Sequence, residues 1–599
     1  MSKRWEVAQK YPSEFVLATG LEDQFILAQL LWNRGIRTQE EIEIFLHPSW
    51  EKHLHDAKQF CHMPGAIERV FKALNEHEPI TVHGDYDADG VTGSTLIITV
   101  LREIQKKIGG ESIVDFYIPH REKEGYGLHR ETVSILRDRG TRLIITVDCG
   151  IACVDEIALA KQQGMDTIVV DHHQFGEILP DGFLIHPGLP EETYPHKTLA
   201  AVGVSFKLAC ALIEEARVRG LDFPVGYEKW LLDLVAIATV TDMVPLIGEN
   251  RLLQSYGLQV LNKTRRIGLR ALIEAAGLSF GSLDTESVGF AIGPRLNAAG
   301  RMDHASLALR LLLSESEEEA RVLAQELERC NCERQDATKK MMREAEIILK
   351  TQYPILNTSA IALWDTRWSP SLVGLVAGKF ADRYARPTIV IGFYEGKWIG
   401  SGRSIPGFDI TAAMRSVGDG LLTRVGGHPQ ACGFALDDEK KLASLADRLQ
   451  AHVSSKLKQE DCVPVMMIDA EISLDQIDES FAQTINHLEP FGEGNRRPMF
   501  VSRNCLVVAV DLIGSQKNHL RLGLLAPNGR RIKALGFKIG DRVSEVAIGK
   551  TIDLVYHVAI NEWQGTRTIE CRLIDFVCTS SFAPTEAHVA IQAQPALAS

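Results

Sequence analysis

No window of the 599-residue sequence approaches ~18 uninterrupted apolar residues, so hydropathy offers no candidate for a membrane-spanning helix. The opening stretch, MSKRWEVAQKYPSEF, lacks the apolar core of a secretion signal, and the expected location is the cytoplasm. Eleven cysteines are scattered without a C-x-x-C pair or regular spacing, which argues against a disulfide framework and leaves reduced structural thiols as the expectation. A basic excess is missing too. Lys plus Arg number 65 against 78 Asp plus Glu, a net charge of −13, so the chain as a whole does not grip nucleic acid electrostatically, although a local basic groove is compatible with the count. With 45% hydrophobic and 24% charged residues the composition is that of an ordinary globular protein, too long for one core and expected to divide into about three or four domains.

What is present is an alternation. Residues 1–64 read as a helical lead-in, with LEDQFILAQLLWNRGI followed by RTQEEIEIFL, where Thr38 can cap a short helix. Beyond it, short Val- and Ile-rich runs, PITVHG, SIVDFYI, RLIITVDCG, DTIVVDHH and GFLIHP, are separated by helical stretches such as HRETVSILRDRG and CVDEIALAKQQG. This predicts a mostly parallel sheet covered by helices, in an α/β domain over 65–314 whose ligands gather at the carboxyl ends of the strands. Residues 315–352 form a long charged helix pattern without Gly or Pro, suited to connecting two domains. A second α/β region follows over 353–460, and 461–578 reads as short strands and turns, suited to a small barrel or sandwich. Residues 579–599 are rich in Ala, Pro and Gln and are expected to be disordered.

The chemistry concentrates in Ile80 to Thr95, ITVHGDYDADGVTGST, where His83, Asp85, Asp87 and Asp89 follow a short strand and precede an apolar helix. In an extended segment alternate side chains share a face, so D-x-D-x-D puts three carboxylates on one side of a strand end. Without cations their repulsion and desolvation cost several kcal/mol, roughly. Taken alone, the stretch also fits a solvated acidic turn. Further along, Asp148 ends LIITVD, Asp171, His172 and His173 follow TIVV, and Asp242 closes the apolar run KWLLDLVAIATVTDMVPL. Together these residues offer enough carboxylate and imidazole for a pair of divalent cations. Mn²⁺, Zn²⁺ and Mg²⁺ all suit such a set, and the carboxylate excess favours Mn²⁺ and Mg²⁺. Two such ions about 3.5–4 Å apart activate a water and stabilise the leaving oxygen of a phosphoryl group, which makes metal-assisted phosphoester hydrolysis the leading chemistry.

At this point a resemblance emerges. The DHH triplet at 171–173, HGDYDADG at 83–90, VDCG at 147–150 and TVTDMVPL at 239–246 resemble the four metal motifs of the DHH phosphoesterase superfamily. GPRLNAAGRMD from Gly293 to Asp303, SGRS from Ser401 to Ser404 and GGHPQACGF from Gly426 to Phe434 are similar to further motifs of its RecJ family of single-strand-specific exonucleases. PFGEGNRRPMF, from Pro490 to Phe500, is similar to the stretch that leads into that family's OB-fold. The resemblance implies a DHH domain over 65–314, a DHHA1-type domain over 353–460 and an OB-fold over 461–578. It also implies a 5′-to-3′ exonuclease that releases mononucleotides from single-stranded DNA with two Mn²⁺ or Mg²⁺ ions, in recombination and repair. Carried over by position, His83, Asp87, Asp89, Asp148, His172 and Asp242 are the implied metal ligands, with Asp148 bridging. Asp87, Asp89, Asp148, His172, His173 and Asp242 form the implied catalytic set. Asp85 and His173 support the ligands or face the phosphate, and Asp171 orients the histidines.

Arginine suits such a substrate because its planar fork holds two phosphate oxygens at once. Arg121, in IPHREKEGYG, and Arg295, Asn297 and Arg301, in GPRLNAAGR, are the candidates beside the scissile phosphate. Ser401, Arg403 and His428 would close over the strand end from the second α/β domain. In the β-rich region Arg496, Arg497, Arg530, Arg531 and Lys533, with Phe500 or Trp563 for stacking, are candidates for a single-strand groove, a solvated charged face being the alternative. One position departs from the family. Its W-H-x-G-V-x-G pattern reads here Trp368, Ser369, Pro370, Ser371, Leu372, Val373, Gly374, so this domain's contacts need not follow the family's. The implied partners are single-stranded DNA, a single-strand-binding protein and a helicase, for a monomeric chain with no membrane contact. Two rivals are a hydrolase of small phosphoesters, against which the appended β-rich domain speaks, and a silent DNA-binding scaffold, against which the unbroken set of acids and histidines speaks.

Overall fold

The computed structural model describes residues 3–109, 114–352, 358–563 and 566–579. They belong to two compact units, one built from His47–Pro464 with Pro490–Asn495, the other from Arg4–Leu46, Val465–Glu489 and the residues from Arg496 onward. The stretch read as a single lead-in is therefore divided, Arg4–Leu46 joining the C-terminal unit and His47 onward the first. The tail expected to be disordered lies, beyond Thr579, outside the described residues. Among the described residues no helix is long and apolar enough to cross a membrane.

The first unit is organised on five parallel strands, β1 (Ile80–Gly84), β2 (Val114–Tyr117), β3 (Leu143–Val147), β4 (Asp166–Val170) and β5 (Phe183–Ile185), in the order β2-β1-β3-β4-β5. Both faces are covered. Val82, Ile145 and Ile168 join the core on one side, while Ile144, Val169 and Leu184 join a second cluster on the other. Burial on two faces is why these strands read as continuous Val/Ile runs rather than alternating ones. The chain leaves β1 for β2 at one edge and then resumes at β3 on the other side of β1, so the order reverses between β1 and β3. At such a switch point the loops beyond the strand ends diverge and leave a crevice. The backbone ladder runs one step past each strand: Asp85 N–H donates to Val147 O at 3.2 Å, Asp148 N–H to Val170 O at 3.0 Å and Asp171 N–H to Ile185 O at 3.3 Å. Three acids thereby start three loops at one level of the sheet.

Helix α1 (Ala88–Ile108) follows β1 and packs against α2 (Ala201–Val218) and α3 (Leu232–Thr241). Leu232 to Thr239 are all buried, which explains why that run is apolar with no polar face. Helix α4 (Gly293–Met302) carries the GPRLNAAGR run. Helix α5 (Glu317–Gln352) has 36 residues and is about 54 Å long at 1.5 Å per residue. Glu317, Glu318 and Glu319 face the positive end of its dipole. Its first half, through Ala320, Leu323, Ala324 and Leu327, belongs to the core around the first sheet; Met341, Met342, Ala345 and Leu349 belong to a cluster of the second α/β domain. In that domain β6 (Ile361–Trp364), β7 (Thr388–Tyr394), β8 (Lys397–Arg403), β9 (Arg424–His428) and β10 (Ala431–Leu436) are ordered β9-β10-β8-β7-β6, with only β6 and β7 parallel. Helix α6 (Pro370–Tyr384) covers β7 and β8.

The second unit contains a closed barrel of β11 (Phe500–Ile513), β12 (His519–Leu525), β13 (Arg531–Gly536), β14 (Thr551–Trp563) and β15 (Thr566–Thr579), in the order β11-β12-β13-β15-β14 with β14 returning to β11. Closure removes the exposed sheet edges, as in an OB-fold. Strand Arg4–Val7 pairs in parallel with Val465–Ile468, and Asn33 Nδ2 donates to Asp469 O at 3.0 Å. Phe500 is not available for stacking on a nucleobase: it is fully buried in the barrel, against Phe481 and Tyr556. A residue at the start of a core strand, preceded by Pro498 and Met499, packs inward for the same apolar reason that made it look like a platform. The side chain of Trp563 lies outside the described residues. Arg530 donates to the carbonyls of Leu474 and Ile477, whereas Arg531 and Lys533 are exposed on β13. Arg496 is exposed and Arg497 half-buried, the latter 3.7 Å from Glu489.

Candidate active site

The Asp-rich turn is held from three sides. Asp87 caps α1, its Oδ1 accepting the N–H groups of Asp89 at 2.9 Å and Gly90 at 3.2 Å, donors that a helix start leaves unpaired. Gly90 is required by space, because a Cβ there would sit 2.6 Å from Asp85 N and 2.8 Å from its carbonyl carbon. Asp89 is buried and accepts the N–H groups of Ala201 and Val202, both at 2.7 Å, at the N-terminus of α2. From α4, Asn297 Oδ1 accepts the Ala88 N–H at 2.7 Å, and Gly300 lies so close that a Cβ would be 2.7 Å from Tyr86 O. Asn297, a candidate phosphate contact by sequence, thus has its carbonyl oxygen committed to the turn.

Two other acids sit at or beside unusual backbone. Asp148 has φ of 63°, in the left-handed region that non-glycine residues rarely occupy, and Met243, directly after Asp242, has φ of 57°. Such conformations cost about 1–3 kcal/mol and persist where surrounding structure imposes them, typically at functional sites. Between these acids lies His172. Its Nε2 is 3.4 Å from Asp148 Oδ1, 3.5 Å from Asp242 Oδ2 and 3.9 Å from Asp89 Oδ2. Burial, and then the charge of His173, hold His172 down to about 4, so at neutral pH the ring is uncharged and the contacts are not ion pairs. Burial and neighbouring carboxylates push the acids the other way: Asp89 rises to about 7 from burial and then Asp87, and Asp85, Asp148 and Asp242 are raised well above the carboxylate range. Among the described residues, His172 Nε2, Asp148 Oδ1, Asp85 Oδ1 and His83 Nε2 are buried without a hydrogen-bond partner.

Asp171 organises the histidines. Its Oδ1 accepts from His172 N at 2.7 Å, His173 N at 3.1 Å and His173 Nδ1 at 2.8 Å, and its Oδ2 from Ile151 N at 3.1 Å. Burial opposes both charges in this pair, yet the shared bond prevails: Asp171 is held at about 2 and His173 raised to about 9. His173 is therefore an imidazolium at neutral pH. Two residues without a sequence-based assignment complete its seat. Tyr126 OH donates to Asp148 O at 3.0 Å and lies 3.1 Å from His173 Nδ1; His186 Nε2 donates to His173 O at 2.8 Å, while its Nδ1 accepts from Gly188 N at 3.0 Å. Tyr126 stands in the GYG that follows Arg121, and the LIHP ending of β5 contains His186. Both could have been flagged as polar residues at the carboxyl end of the sheet.

Among the described residues, three sets of donor atoms come within 4.8 Å of one another: Asp148, His172 and His173; Asp89, His172 and Asp242; and Asp85, Asp87 and Asp148. Asp85, read from sequence as a supporting residue, is thus grouped with two implied ligands. His83 belongs to none of the three sets. Its ring stacks on Tyr117, its Nδ1 lies 3.5 Å from Cys149 Sγ, and burial lowers it to about 4. The charge on His173, and its engagement with Asp171, disfavour it as a ligand.

Beside the acids stands a group of guanidiniums. Arg301 is lowered to about 9 by burial and then by Arg121, Arg334 and Arg403; Arg403 is lowered by burial and also by Arg121. Arg121 lies over the Tyr86 ring at 4.5 Å. Arg403 Nη1 donates to Ser401 Oγ at 2.7 Å, and Gly374 makes room, since a Cβ there would be 3.1 Å from Arg403 Nη2. His428 comes from the second α/β domain to within 6.1 Å of His173, ring centroid to centroid. Mutually repelling cations gathered in a partly desolvated cleft call for an anion with several oxygens. Arg295 is engaged otherwise, with Nε on Glu328 Oε2 at 2.5 Å and Nη1 on Ala291 O at 2.9 Å.

Residues 79–239 match the N-terminal domain of the DHH family, 357–455 the DHHA1 domain and 468–575 the RecJ OB domain. A single-stranded-DNA-specific exonuclease RecJ of Bacillus subtilis is 38% identical over 576 residues, spanning 96% of this chain and 70% of that protein. The crystal structure of Thermus thermophilus RecJ in complex with Mn²⁺ superposes with a TM-score of 0.79 at 29% identity, covering 96% of this chain and 80% of that one. Its complex with Mg²⁺ gives 0.74 at 28% identity, with 96% and 79% covered. With three matching domains in sequence order, and a crevice of acids, histidines and arginines in the first unit, the chain belongs to the RecJ family of DHH-type exonucleases.

Proposed function

We propose that this protein hydrolyses single-stranded DNA from its 5′ end, releasing mononucleotides with the help of two divalent cations, in recombination and repair. The observation that carries the reading is the buried His172 Nε2, without a hydrogen-bond partner, facing oxygens of Asp148, Asp242 and Asp89 at 3.4–3.9 Å. Four donor atoms this close surround a position that a cation can fill, and a carboxylate-rich set with imidazole fits Mn²⁺ or Mg²⁺, the ions named in the Thermus thermophilus structures. In this reading Asp85, Asp87, Asp89, Asp148, His172 and Asp242 hold the cations. Asp148 and His172 each belong to two of the three donor groups, and Asp148, with its two carboxylate oxygens, would serve both ions. His83 stays in the proposal on its unpartnered Nε2. Bound there, the ions would supply Lewis acidity at the phosphate and an acidified water.

The chain's own residues do the rest. Asp171 fixes both histidines, and the charged His173 presents its positive ring to the phosphate beside His428. Arg121, Arg301 and Arg403 receive the phosphate oxygens, Ser401 turning Arg403, while Arg295 and Asn297 brace the cleft. The strand polarity, the cytoplasmic location, the monomeric state and the single-strand-binding and helicase partners rest on family membership. A test is digestion of one oligonucleotide as single strand and as blunt duplex, in Mn²⁺ and in chelator. Rapid loss of the single strand in Mn²⁺ only is expected; equal cutting of duplex, or unchanged cutting in chelator, would defeat the proposal.

A further inference from the structure

The loop after β2 makes a contact that neither the acids nor the guanidiniums use. Glu122 Oε1 accepts two hydroxyl donors from the start of α6 in the second α/β domain, Ser369 Oγ at 2.9 Å and Ser371 Oγ at 2.7 Å. Ser369 is also the N-cap of α6, its Oγ accepting Ser371 N at 3.2 Å. The carbonyl of Ser371 accepts Arg301 Nη1 at 2.7 Å. Arg121, the residue before Glu122, reaches over Tyr86 inside the Asp-rich turn. One helix cap is thereby tied to both arginines of the DHH domain, to Arg121 through its chain neighbour and to Arg301 directly.

The chemistry of the tie matters. Among the described residues Glu122 has no ion pair, although Arg121 is adjacent in sequence and Arg301 binds the same serine. A carboxylate satisfied by Arg121 or Arg301 would neutralise a charge that the phosphate needs. Satisfied by two neutral hydroxyls, it holds the domains together and leaves both guanidiniums available. Hydroxyl donors to an ionised carboxylate also make stronger bonds than neutral pairs. Resting on the nuclease reading above, we propose that Glu122, Ser369 and Ser371 form a latch between the two α/β domains. In it Glu122 is a positioning residue that sets Arg121 and Arg301 for the incoming strand.

The experiment is steady-state digestion of a labelled single strand by the full chain in Mn²⁺, comparing Glu122→Ala, Glu122→Gln and the pair Ser369→Ala with Ser371→Ala, alongside hydrogen exchange of the first turn of α6. Glu122→Ala and the double serine variant should raise KM about tenfold with kcat within about twofold, the signature of lost binding in ground and transition state alike. Glu122→Gln, whose amide oxygen still accepts both hydroxyls, should recover most of the loss. Amides at 371–373 should exchange faster in Glu122→Ala and in the double serine variant, which also loses the Ser369 cap, and near the wild-type rate in Glu122→Gln. Unchanged KM and exchange in Glu122→Ala, a fall in kcat at constant KM, or a Glu122→Gln variant as impaired as Glu122→Ala would overturn the latch. An inactive wild type would overturn the nuclease reading, and the exchange data would still decide the latch.

Discussion

Asp148 carries two loads: a left-handed backbone and a carboxylate raised by burial and four neighbouring acids. Replacing it with Asn keeps the shape and removes the charge. Asp148→Asn should therefore lose turnover by roughly a thousandfold or more while the metal-free protein becomes more stable by ~1–2 kcal/mol, measured by urea denaturation in chelator. A metal-free variant less stable than wild type would contradict the crowding of charge described here. The same crowding sets a pH dependence. Asp85, Asp89, Asp148 and Asp242 have folded values above their ordinary ones, so the stability they contribute is present at low pH and lost as pH rises through the raised values, about 7 for Asp89. His173, raised to about 9, acts in the same direction. His83 and His172, neutral when folded, oppose this trend only toward pH 6.5, where the unfolded imidazole is still half protonated, and add little above about pH 7.5. Scanning calorimetry in chelator should show the melting temperature falling between about pH 7.5 and 8.5, and Mn²⁺ should flatten the slope; a rising melting temperature would sink the argument. At this scale the sequence was informative wherever a residue type announces its chemistry, as in the D-x-D-x-D spacing and the DHH triplet. It was silent on Tyr126 and His186, whose importance lies in backbone carbonyls that only the folded chain brings to them.

Elements explain why the site is where it is. The alternation of strands and helices announced a parallel sheet, but not its order; the reversal between β1 and β3, which only the fold shows, puts Asp85 and Asp148 on neighbouring strand ends. The long helix was legible too, from a run without Gly or Pro, and its apolar residues enter two cores in succession. Gln335 is exposed near the middle of that helix. Gln335→Pro removes one helical hydrogen bond and clashes with the preceding turn, a change expected to cost about 3 kcal/mol. It should lower the denaturation midpoint and separate the melting of the two α/β domains; a single transition at the wild-type midpoint would show that α5 does not couple them. Ser369 and Ser371, noticed only as a departure from the family pattern, acquire a role once α6 begins against Glu122. No spacing rule links residue 122 to residue 369.

In the whole molecule, the least legible feature was the placement of the first segment. Strand Arg4–Val7 pairs with Val465–Ile468, a partner more than 450 residues away, and local periodicity holds no trace of such a pairing. The barrel was half legible: five strand-like runs separated by turns fit a barrel or a sandwich alike, and the family resemblance, more than the strand spacing, pointed to the OB-fold. Its buried Phe500 shows the limit of that reasoning, because the same aromatic can fill a core or face a strand. The catalytic unit and the barrel unit together suit a long substrate better than a small phosphoester. The central claim is that the cleft of acids and guanidiniums works on one strand from its 5′ end. It is tested most directly by digesting a single-stranded oligonucleotide, labelled in parallel at the 5′ or the 3′ end, with the full chain and Mn²⁺. The account predicts that the 5′ label appears at once as mononucleotide while the 3′ label stays on progressively shorter strands; early release of the 3′ label as mononucleotide would contradict it.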